Sequence, residues 1–328
     1  MAPGGKRARN SVDKLVSPYV NGLADHISRV QDSVLDLHAR LNWIEQELHE
    51  LPKREERILA RIDEVAAEAA VEAARVAVDR QMLQAIYERA DEQRLRLYEL
   101  RRSEEYELAF TEAEPLVSVV IPTYNRHQLL GDRCLPALLG QNYQNLEVIV
   151  SGDRAVDEIE AVVRDCGDPR VRYINRAVNG PYPDDPQRAW MMRGTPPMND
   201  GVAVAKGRWI SIVCDDDEVT LTHAERLVAA AQEQRLEMPY GRLRIRFDDG
   251  GELDWENDFP PSYGHFTLQL AIYHAGLRFF QYEPTAMLYG EPNDWSLLRR
   301  LIAAGVRIGR IDDLVVHRYE DLPTPGAD

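Results

Sequence analysis

Apolar side chains fall at Leu23, Ile27, Val30, Val34, Leu37, Leu41, Ile44, Leu48 and Leu51, with spacings that alternate between four and three. On a helix these positions form one narrow stripe, and their mean period of about 3.5 residues is that of a seam between supercoiled helices. The pattern predicts a long helix whose apolar face needs a partner. Pro52 interrupts it, because a proline inside a helix removes a hydrogen bond and collides with the preceding turn; residues 51–54 are expected to form a turn or sharp kink. The stretch 55–109 reads as helical again. Its seam (Ile58, Ile62, Val65, Ala69, Val76, Leu83, Ile86, Ala90 and Leu97) is smaller and less regular. Residues 21–112 are therefore expected to be a helical arm, either a coiled coil or a folded-back hairpin. The weak second seam is too small to cover the first, which points to a homo-oligomer held by the arm. Residues 1–20, with paired glycines and scattered charges, read as a flexible N-terminus.

The pattern changes at Glu114–Pro115. From there short β-branched runs at 116–121, 146–150, 171–174 and 209–213 alternate with helical patterns at 127–139, 156–164 and 199–205. Such alternation predicts an α/β domain with a mostly parallel central sheet. Sheets of this kind bind ligands at the carboxyl ends of their strands. The polar residues just after each strand are therefore the place to look for chemistry.

Composition narrows the function. The chain has 328 residues, of which 44% are hydrophobic, enough for a sizeable core. Its formal net charge of −16 argues against nucleic acid as a partner. Arg242, Arg244 and Arg246 alternate as one solvated face of a strand does. The three cysteines, Cys134, Cys166 and Cys214, form no C-x-x-C pair and no zinc spacing, which fits a reducing compartment. No apolar signal region follows the basic N-terminus, and no run of about 18 apolar residues occurs. A cytoplasmic protein is expected, with peripheral membrane attachment left open.

Three strand ends carry polar clusters: Pro122-Thr123-Tyr124-Asn125-Arg126, Ser151-Gly152-Asp153-Arg154 and Cys214-Asp215-Asp216-Asp217-Glu218. An acidic cluster directly after a buried strand supplies the oxygen ligands that a hard divalent cation wants. Such a cation makes a diphosphate a better leaving group by neutralising its growing charge. In this order the clusters resemble the family-2 glycosyltransferases, whose first strand reads like residues 117–126, VSVVIPTYNR. The resemblance covers about two thirds of the chain, all of it after the arm, and extends through Asn179-Gly180, residues 199–207 and 294–311. It implies a GT-A fold over 115–328, with a nucleotide-sugar half at 115–217 and an acceptor half at 218–328. It implies transfer of a sugar, with inversion, from a nucleotide-diphosphate donor to an unknown acceptor hydroxyl, with Mn²⁺ or Mg²⁺ as cofactor.

The resemblance also assigns roles. Asp216 aligns with the carboxylate that binds the metal, with Asp217 beside it and Asp215 as a second candidate near the donor. Asp153 resembles the acid that reads the nucleobase edge, which favours a uridine donor. Pro122, Thr123, Tyr124, Asn125 and Arg126 would line the donor pocket, with Asn199 contributing from the later matching stretch. Asp294 resembles the base that takes the acceptor proton, with Glu291 as its substitute; Asp294 also reads as a helix cap. His317 is a third metal-ligand candidate. Three departures stand out. Cys214 occupies a position where the family often has aspartate, Asn293 replaces a glutamate, and Met198 replaces an arginine. The long loop 181–197 holds Arg188 and Arg193, either of which can reach back to the diphosphate. Residues 240–289 are rich in aromatics that serve equally as sugar platforms or as core.

Two other readings stay open. One is a sugar nucleotidyltransferase, although residues 123–127 lack the glycine-rich phosphate loop that such enzymes show. The other is a non-catalytic coiled-coil scaffold with a degenerate transferase domain, which Cys214 and Asn293 keep in play.

Overall fold

The computed structural model describes residues 23, 25–44, 55–247, 249–255 and 257–320. The expected flexible N-terminus, Leu48, Leu51, the Pro52 turn and the side chains of Ile58 and Ile86 lie outside the described residues. The chain forms two compact units that divide between Arg89 and Ala90.

The first unit holds helix α1 (25–44) and helix α2 (Glu55–Tyr87). Between residues 27 and 44 the shielded positions are Ile27, Val30, Val34, Leu37, Leu41 and Ile44, and every other side chain is exposed. In α2, Ile62, Val65, Ala69, Val76 and Leu83 are likewise shielded. The seam positions are thus among those withdrawn from water, with Val30 and Val65 the most buried, although Glu72, Asp79 and Gln84 of α2 are partly shielded too. Among the described residues no helix is long and apolar enough to cross a membrane.

The helical stretch expected over 55–109 is broken twice. Arg89 adopts a left-handed conformation (φ 56°) after α2, and a turn at 101–103 separates α3 (Ala90–Leu100) from α4 (Glu104–Thr111). Ser103 caps α4 by accepting from the Tyr106 amide. Both short helices belong to the second unit. Their residues Leu97, Tyr106, Ala109 and Phe110 join its hydrophobic core. Phe110 meets Trp209 edge to face at 5.5 Å, and the Trp209 indole donates to the Ala109 carbonyl at 3.3 Å.

A buried carboxylate fastens this collar. Glu237 accepts from Arg101 through both oxygens at 2.7 Å, from the Tyr106 hydroxyl at 2.7 Å and from the Arg307 amide at 2.8 Å. Burial opposes its charge, but the Arg101 pair, the Arg307 amide and the Tyr106 hydroxyl outweigh that and hold the carboxyl below its ordinary range.

The main sheet runs β3-β2-β1-β4-β8. Strands β1 (Val117–Thr123), β2 (Leu146–Gly152), β3 (Val171–Asn175) and β4 (Trp209–Ile212) are parallel, and β8 (Ile272–His274) closes the edge antiparallel. The apolar runs of β1, β2 and β4 are buried on both faces, as the interior of a parallel sheet requires, whereas the edge strand β3 is only half-buried. A second sheet, in the order β5-β9-β6-β7, is built from β5 (Glu218–Val219), β6 (Met238–Phe247), β7 (Glu252–Trp255) and β9 (Ile308–Glu320). Arg242, Arg244 and Arg246 on β6 pair with Asp254, Glu252 and Glu218, so the basic stripe is neutralised within the sheet.

The helix expected at 127–139 is composite. A short α5 (His127–Leu129) and α6 (Leu135–Leu139) flank a π-helical turn, Leu130–Cys134. Pro136 lacks the amide that would bond back to Asp132, so the regular ladder breaks there. Between β2 and β4 lie α7 (Asp157–Cys166), α8 (Pro186–Met192) and α9 (Thr195–Val204). Helix α9 crosses β1 and β2 so closely that a Cβ on Gly201 would lie 2.3 Å from Val120 Cγ1. Gly201→Ala should therefore cost about 1–3 kcal/mol by overpacking, read as a lower urea midpoint; an unchanged midpoint would show that α9 can lift off the sheet. Helices α10 (His223–Gln234) and α11 (Asn293–Ala304) complete the unit.

Candidate functional site

Strands β1 and β4 are neighbours, with Val120 opposite Ile212, so the turns after them meet. Thr123 Oγ1 donates to Asp215 at 2.7 Å. Thr123 therefore positions an acid and is not simply a wall of the donor pocket. Arg126 is hydrogen-bonded to Asp216, and its Nη1 lies 3.6 Å from Asp215 Oδ1. Arg133, on the π turn, donates to the Asp216 backbone carbonyl at 2.9 Å. Asp217 is buried and accepts from Gln269 Nε2 at 2.7 Å. Neither Gln269 nor Arg133 carries a local motif; only the tertiary fold brings them here.

Burial, then the Asp216 charge, pushes the Asp215 carboxyl up to about 6. The same two causes raise Asp217, and Arg318 partly offsets them. Carboxylates crowded in this way gain from a cation. One ligand atom each from Cys214, Asp216 and Asp217 lies within 4.8 Å of the others. Asp216 and Asp217 are oxygen donors suited to Mg²⁺ or Mn²⁺. Burial and then the three aspartates push the Cys214 thiol well up, so it stays a neutral thiol and a poor ligand.

His317 does not join them. In β9 it stands opposite Glu218, and its Nε2 lies 3.4 Å from Arg246 Nη2. Its pKa is lowered by burial and then by the Arg246 guanidinium. A cation placed there would meet a fixed positive charge. Strand alternation explains the miss: His317 shares a face with Tyr319 and the Arg246 pairs, whereas the next residue, Arg318, is the one that Asp217 senses.

At the end of β2, Asp153 is buried and already engaged. Its Oδ1 accepts from the Gly180 amide at 2.9 Å and lies 3.3 Å from Arg176 Nε, while the Tyr182 hydroxyl donates to Oδ2. Tyr124 and Asn125 are exposed beside it, and Pro122 is half-buried. Asn199, expected beside the donor, is spent otherwise. Its amide donates to the Tyr282 carbonyl at 2.8 Å and accepts from the Tyr282 amide at 3.0 Å. It pins a backbone segment, because both ends of its short side chain are used.

The loop 181–197 contains α8, with Arg188 and Arg193 both exposed. Asn293, the departure at the start of α11, explains how the loop is held: its Nδ2 donates to the Arg193 carbonyl at 2.9 Å and to Thr195 Oγ1 at 2.8 Å. Gly194, between those two anchors, lies against Pro122, a Cβ there being 3.7 Å away. The start of α11 is thus tied to the carboxyl end of β1. There Asp294 is partly buried and accepts from the Trp295 amide at 2.7 Å, and burial raises its pKa. Glu291 is bound by Arg299 at 3.0 Å through both carboxylate oxygens. An acid held in such a fork has both oxygens committed to Arg299, which leaves Asp294 as the better candidate of the two.

The sequence profile of glycosyl transferase family 2 matches residues 118–182, which span β1, β2, β3 and Asp153. The chain carries a family-2 glycosyltransferase domain. A GalNAc(5)-diNAcBac-PP-undecaprenol beta-1,3-glucosyltransferase of Campylobacter jejuni is 30% identical over 121 residues, covering 36% of this chain and 35% of that protein. Glycosyltransferase GlyG of Streptococcus pneumoniae is 31% identical over 131 residues, 38% of each chain. The chain spans between 35% and 40% of the length of the first curated relatives it matches. The crystal structure of S. aureus TarS with UDP-GlcNAc superposes with a TM-score of 0.50 at 16% identity, over 63% of this chain and 59% of that one. That likeness supports the fold of the glycosyltransferase domain alone.

Proposed function

We propose that this protein is a metal-dependent inverting glycosyltransferase that moves a sugar from a UDP-sugar to an acceptor hydroxyl. The observation that carries it is the tether from Asn293 through Arg193, Gly194 and Thr195 to Pro122, which sets the Asp294 helix beside the strand ends that hold Asp153, Asp215, Asp216 and Asp217. Asp216 and Asp217 would hold Mg²⁺ or Mn²⁺, which when bound neutralises the departing diphosphate. Asp294 takes the proton from the acceptor hydroxyl as its oxygen bonds to the anomeric carbon. The bond from that carbon to the phosphate oxygen breaks on the opposite side, its electron pair leaves with UDP, and configuration inverts. Asp153 accepts from the uracil N–H once the Tyr182 hydroxyl yields. The Campylobacter relative supports a lipid-linked glycan among acceptor classes.

The direct test is donor binding and hydrolysis. UDP with Mn²⁺ should raise the melting temperature more than ADP with Mn²⁺, and EDTA should stop hydrolysis of UDP-sugars. Asp153→Ala should weaken UDP binding by about tenfold or more, the loss of a charged hydrogen bond. Equal stabilisation by UDP and ADP would remove the base-reading role, and full activity in excess EDTA would remove the metal.

The arm serves assembly in the same reading. Burying one Leu or Ile is worth roughly 1.5–3 kcal/mol, and α1 brings a full seam of them. The whole chain should be a dimer by light scattering, and a chain beginning at Ala90 should be a monomer that still binds UDP. A full-length monomer at tens of micromolar would show that the arm satisfies its own seam.

A further inference from the structure

Arg126 carries an inference that rests on the donor and metal reading above and goes beyond it. It ends the Pro122–Arg126 turn after β1 with φ −94° and ψ 48°, outside helix and strand, and its side chain caps nothing on α5. Instead the guanidinium spans two acids of the β4 turn. Nη1 is hydrogen-bonded to Asp216 Oδ2 and lies 3.6 Å from Asp215 Oδ1. Asp216 is also the acid that offers an oxygen within 4.8 Å of one from Asp217 and of the Cys214 sulfur. One carboxylate is thus shared between a resident cation and the set that suits a divalent one.

An arginine cannot vacate this place by losing its proton, because guanidinium stays charged at any working pH. A divalent ion arriving at Asp216 and Asp217 therefore meets a fixed positive charge within a few ångströms. The two cations repel, and the doubly charged one binds carboxylates more strongly. The guanidinium side chain is about one third exposed, so it has room to turn. Its planar fork matches phosphate oxygens as well as it matches carboxylates. It also stands on the turn that the donor reading places against the diphosphate.

We propose that Arg126 is the resting counter-ion of the acidic turn, holding Asp215 and Asp216 until a divalent cation takes Asp216, and that it then transfers its hydrogen bonds to the donor diphosphate. Arg126 is a donor-positioning residue in this scheme, and it competes with the metal only while the nucleotide is absent.

The two roles have opposite signs, which a merely structural arginine would not show. Mn²⁺ alone is titrated by electron paramagnetic resonance into the wild-type chain, Arg126→Gln and Arg126→Lys, and UDP is titrated by calorimetry at saturating Mn²⁺. Arg126→Gln should bind Mn²⁺ about tenfold more tightly and UDP about tenfold more weakly, the scale of one charged pair. Arg126→Lys keeps the charge and should leave the Mn²⁺ affinity near that of wild type while still weakening UDP, since an ammonium lacks the fork. Unchanged or weaker Mn²⁺ binding by Arg126→Gln, with UDP binding intact in the wild type, overturns the counter-ion role and leaves the donor reading standing. Failure of wild type and both variants to bind UDP overturns the donor reading and this inference with it.

Discussion

Replacing Asp294 by asparagine should lower sugar transfer by about 10²–10⁴-fold, the range that a positioned general base contributes, while leaving UDP affinity close to wild type. Asparagine keeps the shape and can still accept from the Trp295 amide, so α11 should start as before. The pH profile gives a second readout. Burial raises the Asp294 pKa, so transfer should fall as pH drops through that raised value and the base becomes protonated. The variant should lose this limb. The sign for stability is the reverse of the usual carboxylate case. The folded chain holds this proton more tightly than the unfolded one, so the Asp294 contribution is fully present at low pH and is lost as pH rises through the folded pKa. Transfer by Asp294→Asn within tenfold of wild type would pass the base role to another group, with Glu291 next in line despite its Arg299 clamp.

Asp216→Ala should abolish donor turnover, by about a hundredfold at the least given what a Lewis-acid cation contributes. It is the cleanest of the three acids to remove. Its side chain is 29% exposed against 9% for Asp215, whose carboxylate also anchors Thr123, and Asp217 is buried against Gln269. Asp215→Ala and Asp217→Ala should disturb the turn as well as the chemistry. Metal affinity should also depend on pH. Asp215 is pushed up to about 6 and Asp217 is raised too, so bound protons must leave before a cation is fully held. Mn²⁺ binding should tighten as pH rises from about 5.5 to about 7.5, with proton release. A flat profile, or turnover by Asp216→Ala near the wild-type rate, would show that these acids do not hold the metal.

The strands are legible because parallel strands buried on both faces must be nearly continuous apolar runs, and 117–121, 146–150 and 209–213 each carry only one polar residue, Ser118, Glu147 and Ser211. The acidic turn was readable because a parallel sheet puts its chemistry at strand ends. What local sequence cannot carry is orientation. Residue type alone groups His317 with the acids, yet a one-residue alternation turns it toward Arg246. Asn199 lies in a matching stretch, but its partner, the Tyr282 backbone, is remote in sequence. Asn293 looked like a loss, and only the fold shows that it ties the 181–197 loop to α11. The helical pattern over 55–109 hid two breaks, because the period of apolar residues continues through Arg89 while the backbone does not.

The collar around Glu237 changes where the transferase begins. Composition shifts at Glu114–Pro115, and a shortened chain cut there would look natural. That cut would discard Arg101 and Tyr106 and leave their carboxylate sealed in the protein with three of its four hydrogen bonds gone. Stranding a buried charge in this way typically costs about 3–5 kcal/mol, a large share of what keeps a domain folded. The smallest transplantable transferase therefore starts at Ala90, and α3 and α4 travel with the enzyme as an inherited foundation, whatever arm is grafted ahead of them.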